Sequence, residues 1–297
     1  MKKIDRFIDY CEKSQAQLKA QLKAELKESG YNPISRKGYL YARGDTPILL
    51  TAHLDTVHEK KPRNISIKRK NKKTYISADN GIGGDDRCGV YIIMELLRES
   101  SARPHILFCE DEEIGGIGSD IFTHRVEKMD VNYMIELDRK GKTDAVFYDC
   151  ENYDFEDYIA SFGLKYDFGS FSDICNLMPQ YGIAGVNLSC GYYKAHTADE
   201  YVVFEYMERT REKVKQMIES DDIPRFKYIE RARIPKYSGG CLYVTYTENG
   251  RENYDFIDCL DRDSGLLDFL ISHPHVCYND ISECFFEDYN AYAWSLK

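Results

Sequence analysis

The chain has 297 residues, enough for one large domain with an appendage or for two small domains. It is 43% hydrophobic and 30% charged, which is typical of an ordinary globular protein. Its formal net charge of −10 argues against a general nucleic-acid binder, because phosphate contacts need clustered lysines and arginines. The one basic run, residues 68–73, is flanked by alternating segments and predicts a solvent-exposed hairpin turn.

The cysteines indicate a reducing compartment. All 10 are scattered, no CxxC pair occurs, and no secretory signal is evident at the charged N-terminus. No window approaches the roughly 20 apolar residues needed to cross a bilayer. We therefore expect reduced, mostly structural cysteines in a cytoplasmic protein with no membrane partner.

The hydrophobic pattern alternates between helical and extended segments. A Lys-, Glu-, Ala- and Leu-rich stretch predicts an amphipathic helix over residues 3–29, and further helices are predicted over 86–100 and 203–220. Short apolar runs between them predict strands, and alternation over 65–77 predicts a hairpin. Strands that alternate with helices indicate an α/β fold with a mainly parallel or mixed sheet. The predicted strands are residues 38–42, 47–52, 105–109, 133–137 and 183–188.

The composition changes after about residue 222. Residues 223–297 are rich in tyrosine, phenylalanine and acidic side chains, with a possible hairpin at 248–250. We expect a first domain over residues 1–222 and a small C-terminal appendage of unknown role.

The strongest local signal is His53 two residues before Asp55, directly after an apolar strand. In an extended chain, residues two apart face the same side, so these side chains can converge. A carboxylate beside a metal-ligating imidazole fixes its tautomer and raises its basicity. Alone, such a triplet is more often structural than functional, so its meaning depends on the other candidates.

Five further side chains follow a predicted strand or open a predicted helix. Loops at the carboxyl ends of strands are where open α/β sheets place their sites. Capping is the alternative explanation for an acid at a helix entry, and a solvated loop is the alternative for the acidic run 110–113. These candidates are Asp85, Glu112, Glu113, Asp138 and His196.

The order His-x-Asp, Gly-x-Asp-Asp, Asp-Glu-Glu-x-Gly-Gly, strand-Asp and His-Thr resembles the co-catalytic zinc aminopeptidases and carboxypeptidases, over residues 45–220. The resemblance implies a three-layer αβα sandwich of the phosphorylase/hydrolase type in a catalytic domain over residues 1–222. The family often has a cis peptide bond before the position of Asp86. By this resemblance His53 and Asp138 would bind one metal ion, Glu113 and His196 the other, Asp85 would bridge both, Glu112 would be the general base, and Asp55 would orient His53.

Charge and ligand chemistry agree with two metal ions. The charge of two divalent cations would be offset by Asp85, Glu113, Asp138 and one bridging hydroxide. Imidazole and carboxylate ligands suit zinc, and manganese or cobalt could occupy the same site. The metals would lower the pKa of the bridging water, and Glu112 would pass its proton to the leaving amine.

Only 57 residues separate Asp138 from His196, too few for the lid domain that carboxypeptidase-like members insert there. The sequence therefore resembles the lidless, single-domain aminopeptidase branch. Phe171-Ser172-Asp173 also resembles a segment that lines the pocket in that branch. Asp173 is accordingly a candidate substrate-binding residue, and the alternative is a helix N-cap at Ser172.

The function predicted from these residues is an aminopeptidase that acts on small peptides. The same metals and a different pocket would serve a deacylase of N-acyl amino acids or another amidohydrolase. A one-zinc glutaminyl-cyclase-like enzyme shares the fold, but His53 favours two metals. A non-catalytic binding protein on a peptidase scaffold is the remaining alternative, and the filled ligand and base positions count against it. Metal identity, side-chain preference, oligomeric state and any need for a free amino terminus stay open.

Overall fold

The computed structural model describes residues 2–231, 240–248, 251–259, 269 and 281–286. The chain divides into two compact units, Met1–Arg231 and Ala232–Lys297. In the first unit, helices and short strands alternate along the chain. Its elements are α1 (Lys3–Cys11), α2 (Gln15–Glu28), β1 (Ile34–Arg36), β2 (Tyr39–Ala42), β3 (Thr46–His53), β4 (Ser66–Lys70), β5 (Lys73–Ser77), α3 (Gly84–Glu99), β6 (Pro104–Cys109), α4 (Ile117–Arg125), β7 (Tyr133–Arg139), β8 (Asp144–Val146), α5 (Tyr153–Ser161), β9 (Lys165–Asp167), α6 (Ile174–Tyr181), β10 (Gly185–Ser189), β11 (Tyr192–Tyr193), β12 (Tyr201–Val203) and α7 (Phe204–Ile218).

Eight of these strands form the central sheet, in the order β1-β2-β6-β3-β7-β10-β8-β9. The pairs β6–β3, β3–β7, β7–β10 and β8–β9 are parallel, whereas β1–β2, β2–β6 and β10–β8 are antiparallel. The inner strands β3 and β6 are almost wholly buried, as strands covered on both faces must be. The predicted α/β fold with a mixed, mostly parallel sheet is confirmed.

Helices cover both faces of the sheet and give the predicted three-layer sandwich. Helices α1, α3 and α7 pack together, and α4 packs against α6. The buried guanidinium of Arg87 on α3 donates to the carbonyls of Tyr10 and Leu54, at 3.2 and 2.7 Å. This contact ties the end of α1 to the loop after β3, because a buried guanidinium needs acceptors for its protons.

A second sheet of four antiparallel strands, β11-β12-β5-β4, adjoins this core within the first unit. The hairpin predicted over 65–77 is confirmed, since β4 and β5 pair through Lys70 and Lys73. The connecting residues Asn71 and Lys72 both have positive φ, as a two-residue hairpin turn requires.

The predicted single helix over 3–29 is wrong, because the structure has two helices there. Helix α1 ends at Cys11 and α2 begins at Gln15. The hydroxyl of Ser14 accepts from the amide of Gln17, and the Gln17 side chain accepts from the amide of Ser14. This capping box starts a new helix, although the composition on either side of it is uniformly helix-forming.

The first unit extends to Arg231, past residue 222, where the sequence suggested a boundary. Phe226 donates its amide to the carbonyl of Asn132, and Arg231 donates to that of Asp149. The assignment of residues 1–222 and 223–297 to a catalytic domain and an appendage stays a prediction.

In the second unit, the described residues form a three-stranded sheet, with β13 (Gly240–Glu248) between β14 (Arg251–Cys259) and β15 (Ile281–Phe286). Strands β13 and β14 are antiparallel, and Glu248 pairs with Arg251. Residues 249–250 of the hairpin predicted at 248–250 lie outside the described residues. Among the described residues, no helix has the length and apolar character that a membrane span needs.

Candidate active site

Three neighbouring parallel strands, β6, β3 and β7, carry candidate residues at or just beyond their carboxyl ends. His53 is the last residue of β3, Asp138 lies at the end of β7, and Glu112 and Glu113 follow β6. Because the carboxyl ends of parallel strands meet at one edge, these side chains converge there. Asp85 reaches the same place from the start of α3, and its peptide bond to Asp86 is cis.

Asp85 lies between the two histidines. Its Oδ1 is 3.0 Å from Nε2 of His53, and its Oδ2 is 3.2 Å from Nε2 of His196. One carboxylate thus presents one oxygen to each imidazole. This is the arrangement expected of a ligand shared by two cations.

The remaining candidate ligands divide between the two histidines. Asp138 Oδ1 lies 3.4 Å from Nε2 of His53, whereas Glu113 Oε2 lies 3.0 Å from Nε2 of His196. The structure therefore brings together the five side chains predicted as ligands, in the two groups that the resemblance implied. Their individual roles stay predictions.

Asp55 holds two parts of the site at once. Its Oδ1 is 3.2 Å from Nδ1 of His53, and its two oxygens accept from the backbone amides of Glu112 and Glu113, each at 3.0 Å. The imidazole orientation and the path of the acidic loop are thus fixed by one carboxylate. This is the kind of supporting contact that metal-ligating histidines usually have.

Asp138 is held by Ser172, which the sequence offered as a pocket or helix-cap residue, and by Tyr192, which the sequence did not single out. Ser172 donates its hydroxyl to Oδ2 at 2.9 Å, and Tyr192 donates its hydroxyl to Oδ1 at 3.2 Å. Ser172 therefore serves Asp138, and the alternative of a helix N-cap at Ser172 is wrong, because the cap position of α6 is Asp173. No sequence signal for Tyr192 exists beyond its position four residues before His196.

Glu200 is a second residue missed from the sequence, although it lies in the same motif as His196. It is fully buried and accepts from the amides of Gly83 and Asp85, at 2.7 and 3.1 Å. Its Oε2 is also 2.8 Å from Nε2 of His58. Glu200 thereby fixes the turn that presents Asp85, and His58 supports this turn through Glu200.

Asp86 also lies near His53, and His53, Asp86 and Asp138 could geometrically share an ion. However, Asp86 Oδ1 accepts from the amide of Gly89 at 2.8 Å, and Oδ2 accepts from that of His53 at 3.2 Å. Both oxygens thus already accept hydrogen bonds from the backbone, so Asp85 is the better candidate for a bridging ligand.

The proposed ligands shift one another's pKa values. Burial tends to lower the pKa of His53, but Asp138 and the neighbouring carboxylates raise it well above its usual value. The hydrogen bond to Asp85 raises the pKa of His196 to about 9. Burial would raise the pKa of Asp85, yet its contacts with His196 and His53 lower it overall.

Glu112 has the environment of a general acid–base group. Burial, reinforced by the negative charge of Asp138, raises its pKa to about 8. Its Oε2 lies 4.0 Å from Nε2 of His53, too far for a hydrogen bond. Glu112 therefore stands beside the ligand cluster without being a member of it, whereas Glu113 contacts His196 directly.

The ligand cluster opens into a cavity of about 380 Å³. Asp173 does not line this cavity, because its side chain is fully buried. The predicted contact of Asp173 with substrate is therefore wrong, because α6 turns this side chain into the core while Ser170 and Phe171 form the cavity wall.

The residues present fit a pair of divalent cations. Imidazole nitrogens and carboxylate oxygens are the donors that zinc, manganese and cobalt accept. Ligand atoms of His53, Asp85 and Glu113 all lie within 4.8 Å of one another. Glu113 Oε1 is buried with no hydrogen-bond partner, so it is available to a metal ion.

Comparison with known proteins agrees with this fold. Residues 37–175 match the model of peptidase family M28. No curated protein matches the sequence. Three aminopeptidase or tripeptidase structures share the fold at low identity, so their likeness to this chain concerns the fold alone.

The first, aminopeptidase PepT from Bacillus cereus, is 16% identical, with a TM-score of 0.57 over 73% of this chain and 97% of that chain. A tripeptidase from Staphylococcus aureus is 14% identical, with a TM-score of 0.58 over 73% and 96% of the two chains. An aminopeptidase from Desulfurococcus kamchatkensis is 12% identical, with a TM-score of 0.57 over 74% and 95%. The family match over residues 37–175 and the shared fold agree with the resemblance predicted from the sequence: over these residues the chain is similar to peptidase family M28.

Proposed function

We propose that this protein is a dinuclear metal-dependent aminopeptidase that acts on small peptides, with Glu112 as its general base. The observation that carries the proposal is the placement of Asp85, with one oxygen toward His53 and the other toward His196. A structural ion pair would need only one histidine. A carboxylate shared between two imidazole-containing clusters is what a two-metal hydrolase requires.

Two divalent ions, zinc in the first instance, would polarise the scissile carbonyl and lower the pKa of a water molecule. His53, Asp138 and Asp85 would hold one ion, and His196, Glu113 and Asp85 the other. Glu112, whose pKa is raised by burial, would accept a proton from the water and deliver it to the leaving amine. Asp55 would keep His53 and the amides of Glu112 and Glu113 in place during this transfer.

The substrate partner is thus a peptide, or an amide with the same scissile bond. The cytoplasmic location remains a prediction from the sequence, with six buried or partly buried free cysteines among the described residues.

The test compares Glu112→Gln with Glu113→Gln, two isosteric changes at adjacent positions. Glu112→Gln should lower kcat/KM for aminoacyl substrates by at least about 100-fold, because general acid–base catalysis contributes that much. It should still bind as much metal as the unaltered protein. Glu113→Gln should lower the metal content itself, measured by elemental analysis after dialysis.

Glu127→Gln, at an exposed position outside the site, is the control and should change neither quantity. Unchanged hydrolysis by Glu112→Gln would contradict the proposed base. A metal content below one ion per chain in the zinc-supplemented, unaltered protein would contradict the two-metal site.

A further inference from the structure

The cavity beside the proposed metal site is lined by basic side chains that have no role in the proposed reaction. Its lining includes Arg139, Lys140 and Lys194, in addition to the proposed ligands and base. Two of these cations follow Asp138 directly in the chain, and Lys194 precedes His196 by two residues. The elements that carry the ligands therefore also bring basic groups to the same cavity.

Each acidic side chain in the cavity lining already has a proposed role, either as a metal ligand or as the general base. Among the described residues that line it, the carboxylates are Asp85, Glu112, Glu113 and Asp138, which are the proposed ligands and base. With two divalent cations bound, the ligand charges are offset. No further carboxylate in this lining balances the basic side chains, so the cavity favours an anionic group.

The two lysines carry most of this excess. Arg139 donates to Asp167 Oδ2 at 2.7 Å and to the carbonyl of Phe168 at 2.9 Å, so its charge is largely paired. The ammonium of Lys194 lies 3.4 Å from Asp199, and both side chains of that pair are more than half exposed. Exposed pairs of this kind contribute little, and Lys194 can therefore change partner at small cost. Lys140 is exposed as well.

We infer that the substrate carries a carboxylate, bound at the rim of the cavity by Lys140 and Lys194. This inference rests on the proposed function, because it concerns the same cavity. A volume of about 380 Å³ suits a short peptide or a single acylated residue. Two sources of the carboxylate fit: the acidic side chain of an aminoacyl residue, or the free C-terminus of a dipeptide or N-acyl amino acid.

The experiment uses isosteric substrate pairs that differ only in this charge. Glutamyl against glutaminyl p-nitroanilide tests the side chain, and Ala-Ala against Ala-Ala-amide tests the C-terminus. The metal-loaded protein should prefer the anionic member of one pair by at least about tenfold in kcat/KM, the effect of a charge-assisted contact of roughly 1.4 kcal/mol. The pair that shows the preference identifies where the carboxylate lies.

In the double variant Lys140→Met/Lys194→Met, the ratio of kcat/KM for the anionic substrate to that for the neutral substrate should fall to near one. It should raise KM for the anionic substrate and leave cleavage of the neutral one largely unchanged. Lys165→Met, at an exposed position on β9 outside the cavity, should retain the preference. Equal cleavage within both pairs, or a preference that survives in the double variant, would overturn the inference.

Failure of the proposed function is distinguishable from failure of the inference. If no substrate is cleaved with zinc, manganese or cobalt, the proposed function has failed. Calorimetric binding of glutamate against glutamine, and of Ala-Ala against its amide, to the metal-loaded protein then decides the inference. Tighter binding of an anionic member that disappears in the double variant supports it, and equal binding within both pairs overturns it.

Discussion

The two histidines of the site lie in opposite surroundings. The side chain of His53 is 1% exposed, whereas that of His196 is 54% exposed. His53 lies on a central strand and is backed by Asp55, and its proposed co-ligand Asp138 is held by Ser172 and Tyr192. His196 lies in a loop with a φ of +63°, and its recorded contacts are with the proposed ligands Asp85 and Glu113.

The difference indicates that the two parts of the proposed metal site have different roles. We call His53 with Asp138 the buried half and His196 with Glu113 the exposed half. A buried half with fixed ligands loses little entropy when it binds an ion, so its ion should bind tightly. An exposed half is accessible to solvent and substrate, and its ion should exchange more readily. In the proposed two-metal site, the buried half would therefore keep its ion in place, while the exposed half would contact the substrate.

Removal of each histidine should have the largest effect. His53→Ala should abolish tight binding of the buried ion and, because Asp85 is shared, should weaken binding of the second. His196→Ala should leave one tightly bound ion per chain. Both variants should lose at least about 100-fold in kcat/KM, since both ions take part in the proposed reaction.

Elemental analysis after dialysis against a weak chelator distinguishes the two variants. His124→Ala, at a side chain that is 76% exposed, is the matched control and should keep full metal content. Equal retention of metal by His53→Ala and His196→Ala would contradict the predicted difference in metal affinity between the buried and the exposed half.

Metal affinity should also depend on pH. The pKa of His196 in the metal-free protein is raised to about 9, so its imidazole is protonated at neutral pH. A metal ion needs the neutral imidazole and must displace that proton. The affinity for the ion held by His196 should therefore rise with pH until about 9, and the one proton on His196 gives about a tenfold change per pH unit below that value.

Zinc titrations at pH 6, 7 and 8 with a competing chelator would measure this slope. His196→Ala should abolish the pH-dependent binding of the exposed ion, and the buried ion that it still binds should keep the pH dependence set by His53. An unchanged titration of the exposed ion in this variant would contradict the assignment of the proton to His196.

Removal of the hydroxyl that supports Asp138 should have the smallest effect. Ser172→Ala deletes one hydrogen bond to Oδ2 and leaves that of Tyr192 to Oδ1. Loss of a supporting contact of this kind typically lowers metal affinity by about 10-fold to 100-fold. Because Tyr192 still holds Asp138, we expect a loss of about 10-fold in this variant. The loss should affect only the more tightly bound ion in a chelator competition. Ser161→Ala, at an exposed position on α5, is the control, and a loss confined to the weaker ion would contradict the prediction.

The residue types and their order were sufficient to predict the α/β fold and the set of side chains that meet at the strand ends. Strand periodicity places His53 and Asp138 after buried strands, and parallel pairing brings strand ends together. The split between α1 and α2 was missed because a capping box at Ser14 interrupts an otherwise continuous helical composition.

The supporting residues could not be predicted for a different reason. Glu200 resembles an exposed acid in sequence, and only the folded chain shows that it binds the turn at Gly83. Asp173 was misplaced because a residue at a helix start can face either the cavity or the core. Which of the two the side chain faces depends on how α6 is rotated about its own axis. A helix as short as α6 has too few turns for its hydrophobic periodicity to predict that rotation.

The contacts of Asp55 have a consequence for any attempt to alter specificity. Its carboxylate couples the loop after β6 to the strand that ends in His53, so changes to that loop would also alter the chemistry. By contrast, the cavity wall at Gly169 and Ser170 meets the proposed ligands, among the described residues, through the adjacent Ser172, which donates to Asp138. A protein engineer could therefore vary that wall and keep the reaction, which makes the recognition of substrate and the cleavage of the bond separately adjustable.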